Sequence, residues 1–196
     1  MSDRNDRPTA SEAALHVLFT GYLGDRVAAT VSFVADGELR LVVDPGLVPA
    51  PRAILEPLAE LGMGPEAVTD VVLSHHHPDH TLHAALFPNA RVHDFWAVYK
   101  GDLWDSRPAE GVELSPSVRL IETPGHSPQD ITTLVGTPDG VVACTHLWWT
   151  ATVPVEDPYA TDPEALHAGR RRVLEVASLV VPGHGPPFTP TPDTPR

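Results

Sequence analysis

Cysteine is nearly absent from this 196-residue chain, where Cys144 stands alone. A single thiol excludes an internal disulfide framework and fits a reducing compartment. Long apolar runs are missing too: no window approaches the roughly 18 continuous apolar residues of a membrane-spanning helix. Residues 1–10 are charged and polar, without the apolar centre of a signal peptide. Basic side chains are the third shortage. Thirteen Lys and Arg against 26 Asp and Glu leave a net charge of −13, which repels polyanions unless a metal or a local patch intervenes. The expectations are a cytoplasmic protein with a small-molecule substrate and no membrane partner. Nucleic acid is disfavoured as a partner but kept open, and the oligomeric state is left undefined. Hydrophobic content of 42% is ordinary for a globular chain, and the length suits one domain with a real core.

Proline is abundant, at 22 residues, and gathers near Pro45 to Pro51 and beyond Pro182. The Pro-rich residues 189–196 read as an extended tail, and residues 1–12 as a loose N-terminus. Residues 13–188 are the expected domain. Within it, short apolar runs predict strands at 17–19, 28–34, 41–43, 71–73, 91–93, 118–123, 131–135, 140–144 and 179–181. Helical spacing marks 54–61 and, more briefly, 82–87. Residues 163–177 form a strong helix pattern with Thr161 or Asp162 as N-cap and Glu164 in the first turn. The strands fall into two groups, each followed by helix. That order predicts an α/β fold, a four-layer αββα sandwich of two mixed sheets with helices outside, and not an alternating Rossmann sheet.

The chemistry concentrates in Ser74-His75-His76-His77-Pro78-Asp79-His80, which puts four of the eleven histidines and a carboxylate within six positions. Borderline nitrogen donors with one hard oxygen suit zinc or a neighbouring first-row ion. The run follows a strand, where α/β proteins commonly place their sites. Alternate residues of an extended segment project to one side, so His75 and His77 can share an ion while His76 points away. Three more histidines end strands in the same way, in Thr123-Pro124-Gly125-His126, Ala143-Cys144-Thr145-His146 and Pro182-Gly183-His184-Gly185. A carboxylate does so in Val43-Asp44-Pro45-Gly46. Glycine and proline let the backbone turn sharply there and aim the side chain back over the sheet.

Leu-Val-Val-Asp44-Pro-Gly, His75-x-His77-x-Asp79-His80, Thr-Pro-Gly-His126 and Pro-Gly-His184-Gly, in that order, resemble the metallo-β-lactamase superfamily from about Leu18 to Phe188. The closing Val-Val-Pro-Gly-His-Gly-Pro-Pro-Phe is similar to a small single-domain branch of it. The resemblance implies that His75, His77 and His126 hold one metal and that Asp79, His80 and His184 hold a second. Asp44 would support the site from behind. One or two zinc ions per chain are expected, with iron or manganese as alternatives. One position departs from the pattern: the aspartate that bridges the two metals in this superfamily is replaced by His146, after Thr145. A neutral imidazole offers one lone pair and cannot bridge. The expectation is an asymmetric site with His146 as an added ligand. The competing reading turns His146 away and lets Thr145 or water fill the gap.

The function this implies is a metal-dependent hydrolase, using metal-activated water on a small ester, lactone or amide, with Asp79 orienting that water or taking its proton. A phosphodiesterase or ribonuclease of the same fold, a mononuclear iron enzyme using oxygen, and a degenerate metal-binding module are the alternatives. Trp96, Trp104, Trp148 and Trp149 are expected to pack the core or to wall an apolar pocket. Cys144 is expected to be a small buried strand residue. His16, His83, His93 and His167 are expected to be structural or exposed, and Arg170 to Arg172 a solvated face.

Overall fold

Alternation along the strands sets the layers. In β3 (Leu39–Val43), Leu41 and Val43 face one apolar cluster and Val42 another. The computed structural model describes residues 6–196. Its first sheet runs β1 (Ala14–Phe19), β2 (Val31–Asp36), β3, β4 (Asp70–Val72), β5 (Arg91–His93), β6 (Ala97–Lys100) and β7 (Leu103–Ser106), in that spatial order. The second has five strands: β8 (Glu113–Ser115), β9 (Val118–Glu122), β10 (Ile131–Thr137), β11 (Gly140–Thr145) and β12 (Leu179–Pro182). Leu41, Val43 and Val72 meet Leu120, Val142, Cys144 and Val181 between the sheets. On the outer faces, Val42 and Val71 pack under Ile54 and Leu58 of α1 (Arg52–Glu60). Ile121, Val141 and Ala143 pack under Leu166 and Val173 of α3 (Pro163–Leu174). The period of two that alternates each strand between faces thus builds the four-layer αββα sandwich. Both sheets are mixed, with parallel pairs β3–β4, β4–β5 and β11–β12.

Asp162 caps α3 by accepting from Ala165 N at 3.0 Å, with Pro163 at the first helical position and Glu164 in the first turn. The helix expected at 82–87 forms earlier and is shorter. Pro78 starts α2 (Pro78–Thr81) instead, and a 3-10 turn follows at Ala84–Leu86. The reason is local: His83 N donates to Pro45 O at 2.8 Å and its ring contacts Gly46 O, which diverts the chain after one turn. The segment holding Trp96 and Trp104 is a β-hairpin, β6–β7, closed through Gly101 at φ +61°.

The arginine run also needs correction. Arg170 is fully buried, donating to Leu147 O and Val155 O at 2.8 Å each beneath Trp148. Arg172 pairs with Asp6 and Glu110, and only Arg171 is exposed. That pairing ties residue 6 to α3, and Ala10 N donates to Pro116 O, so residues 6–12 lie against the sandwich. The part of the loose N-terminus expected at residues 1–5 lies outside the described residues. At the other end the chain turns at Thr191 and Thr194 and offers Pro195 O to the Trp148 indole at 2.9 Å.

Candidate metal centre

The site grows from the carboxyl ends of the parallel pairs, where side chains leaving two neighbouring strands emerge side by side. At the end of β3, Asp44 adopts φ +53°, a left-handed conformation that aspartate tolerates better than most residues. Its Oδ1 accepts from Ser74 N at 2.6 Å and its Oδ2 from His80 Nδ1 at 2.9 Å, so one carboxylate joins β3, the loop after β4 and α2. Gly46 permits this closeness, since a Cβ there would fall 1.7 Å from Asp79 O. Ile131 N donates to Ser74 O at 2.8 Å and links the histidine loop to the second sheet.

His75, His77, Asp79, His80, His126, His146 and His184 all converge. His77 Nδ1 lies 2.9 Å from His75 Nε2 and 3.1 Å from His126 Nε2. Asp79 Oδ2 lies 3.5 Å from both His80 Nε2 and His184 Nε2, which are 3.4 Å from each other. Within each of the sets His75–His77–His126 and Asp79–His80–His184 the ligand atoms lie within 4.8 Å of one another, and His146 does the same with His75 and His80. His146 Nε2 is 3.1 Å from His184 Nε2, so the ring points into the cluster and not away from it. His76 turns outward to Asp94 at 3.0 Å.

Outer partners fix which nitrogen faces inward. His80 donates its Nδ1 proton to Asp44, His126 to Asp157 Oδ2 at 2.7 Å, and His184 to Ala28 O at 3.0 Å. Each leaves its Nε2 lone pair for the centre, the arrangement metal-binding histidines use. Burial, reinforced by the neighbouring imidazoles, pushes His75 and His146 well below the ordinary histidine range and His184 down to about 4. These groups are therefore neutral near pH 7 and able to ligate. His146 Nδ1 is buried with no partner. The donors present fit a divalent first-row ion: imidazole nitrogen predominates, with one carboxylate and no sulfur.

Asp157 carried no signal in the sequence. Its carboxylate is buried in an irregular loop, where it also accepts from the Trp149 indole at 3.0 Å and from Tyr159 N at 2.9 Å. Burial pushes its pKa up, but the bonds from His126, Tyr159 and Trp149 outweigh this and hold it below the usual value. Behind His126, Ser127 donates to Asp130 through both N and Oγ, while burial raises the Asp130 carboxyl to about 6. The centre floors a cleft of about 380 Å³ whose walls include Leu23, Val27 and the stacked Trp149 and Tyr159. Of the other tryptophans, Trp148 is core, whereas Trp96 and Trp104 are exposed. Cys144 is buried, and burial pushes its thiol up to about 12. His16 is exposed, while His93 is buried against Asp70 at 2.7 Å.

This chain belongs to the metallo-beta-lactamase superfamily, whose family model matches residues 24–187. Several of its relatives carry the name metallo-beta-lactamase domain-containing protein 1, the small branch that the closing segment resembles. The Xenopus laevis protein is 32% identical over 91% of this chain and 82% of its own length. The human one is 39% identical over 76% of this chain, which spans only 59% of that relative. A Thermotoga maritima protein assigned to the metallo-beta-lactamases superposes with TM-score 0.72 at 22% identity, covering 91% of this chain and all of its own. A B. thuringiensis AiiA variant, solved with N-decanoyl-L-homoserine at its active site, gives 0.67 at 18% identity, covering 90% of this chain and 94% of its own. A third neighbour, solved in a di-iron-bound form, gives 0.64 at 24% identity over 87% of this chain and 94% of its own. At these identities the solved structures speak to the fold.

Proposed function

We propose that this chain is a metal-dependent hydrolase acting on a small, uncharged or weakly acidic lactone, ester or amide. The observation that carries the reading is the convergence of two ligand triads on the floor of one apolar-walled cleft. His75, His77 and His126 would hold one ion and Asp79, His80 and His184 another, zinc being the ion that the donors suit best, with iron or manganese as alternatives. When bound, such an ion acidifies water and polarises a carbonyl oxygen.

The chain's own residues supply the rest. Asp79 keeps its side chain 19% exposed to the cleft, so it is the group placed to orient a water and take its proton. Leu23, Val27 and the Trp149–Tyr159 stack offer surface to the apolar part of a substrate. No Lys or Arg is among the residues lining this cleft, so no side-chain cation there adds to a metal's hold on a phosphate. A net charge of −13 acts in the same direction. Both favour acyl substrates over phosphodiesters, and the acyl-homoserine ligand of the B. thuringiensis neighbour supports the same class.

The test is a set of initial rates on neutral lactones and p-nitrophenyl esters against bis(p-nitrophenyl) phosphate, before and after chelation. Faster, chelator-sensitive acyl turnover is expected. Preference for the phosphodiester would overturn the substrate class, and chelator-resistant turnover the metal requirement. A second reading, oxygen chemistry at a nitrogen-rich iron site, draws on His146 in the place of a carboxylate. Oxygen uptake accompanying turnover would favour it.

A further inference from the structure

His146 stands where the superfamily's bridging carboxylate is expected, and its surroundings show what it can do instead. Its ring centroid lies 4.2 Å from that of His126, 4.5 Å from His75, 4.7 Å from His80 and 5.1 Å from His184. Gly183 makes room for it, because a Cβ there would sit 2.4 Å from His146 Cδ2. Thr145, the other residue that could fill the gap, is committed elsewhere. Its Oγ1 lies 2.7 Å from Thr132 Oγ1 and accepts from Leu147 N at 3.3 Å.

One lone pair serves one ion, and spacing indicates which. Donors around a tetrahedral ion with bonds of 2.0–2.1 Å lie about 3.3 Å apart. Around His184 Nε2 the separations are 3.1 Å to His146 Nε2, 3.4 Å to His80 Nε2 and 3.5 Å to Asp79 Oδ2, with Asp79 Oδ2 also 3.5 Å from His80 Nε2. Asp79 Oδ2, His80 Nε2 and His184 Nε2 thus match one face of such a tetrahedron, and His146 Nε2 stands one edge length from its His184 corner. We infer that His146 is the fourth ligand of the Asp79–His80–His184 position, which closes that position and leaves His75–His77–His126 as the open one facing substrate. The inference rests on the metal-centre reading above.

Its consequence is two unequal affinities. The closed position has three buried imidazoles, His80, His146 and His184, and four protein ligands, so it holds its ion tightly. The open position has three ligands, one of them the exposed His77, and exchanges its ion more readily. Three histidines with a free fourth place are what catalytic zinc uses.

The experiment is zinc titration of metal-stripped, untagged protein against a competing chromogenic chelator, with circular dichroism reporting the fold. Wild type is expected to show one tight and one weaker class. His146→Ala, and the closer-sized His146→Asn, should weaken the tight class by more than the roughly 10–100-fold that loss of a ligand's outer partner costs. His77→Ala should remove only the weaker class, and because His77 is exposed this variant tests the assignment even if the buried His146 cannot be replaced. A tight class that survives in a folded His146 variant, or that disappears in His77→Ala, overturns the assignment. Two equal classes in wild type do the same. No zinc bound by folded wild type would overturn the metal-centre reading itself, and this inference with it.

Discussion

Asp157 ties a ligand to a cleft wall through one carboxylate, accepting from His126 Nδ1 and from the Trp149 indole. Outer partners of this kind set ligand orientation and basicity, and their loss typically costs about 10–100-fold in metal affinity. Asp157→Asn is therefore expected to weaken zinc binding by about that factor at the His126 position, read by chelator competition. Unchanged affinity would mean that His126 is held without it. The buried imidazoles carry a second expectation, for the metal-free protein. Unfolded histidines protonate near pH 6.5, whereas burial depresses His75 and His146 well below that and His184 to about 4. Between those limits the unfolded chain binds more protons, so stability falls as pH falls through that window and levels off above it. Urea midpoints measured from pH 7.5 down to 4.5 check the sign, and a flat profile would contradict it.

α3 and the loop before it show what a helix pattern leaves out. Arg170 donates from within α3 to Leu147 O after β11 and to Val155 O beside Asp157, so the helix pins both ends of the cleft wall. Arg170→Met keeps the apolar volume but leaves two carbonyls without donors. A loss of about 2–4 kcal/mol in chemical denaturation is expected. A change under about 0.5 kcal/mol would show that water replaces the guanidinium at little cost. The helix expected over 163–177 was legible through its cap and spacing but ends at Leu174, and the solvated arginine face was not its real state. Periodicity finds apolar faces, and a buried arginine looks exposed until its carbonyl partners are placed. The β6–β7 hairpin was missed for a related reason. Leu103 to Ser106 form an exposed edge strand, so burial imposes no alternation there. Ser74 to His80, Thr123 to His126 and Pro182 to Gly185 were legible because each motif is local to one strand end. Asp157 was not, because only tertiary packing brings its irregular loop to His126.

Taken whole, the molecule brings its functional side chains together by topology. β3 with β4 and β11 with β12 are parallel, so the loops after them open at matched ends of the two sheets and meet over the core. The chain carries a net charge of −13, and no Lys or Arg is among the residues lining the cleft. Among the described residues no helix is long and apolar enough to cross a membrane. The central claim is that this frame exists to hold metal. Elemental analysis of untagged protein, purified without a chelating column and confirmed as folded by circular dichroism, tests it most directly. The account predicts a first-row divalent ion at one to two per chain, falling when Asp79 and His80 are replaced together. Folded wild-type protein that carries only trace metal, and takes up none when zinc, iron or manganese is supplied, would contradict it.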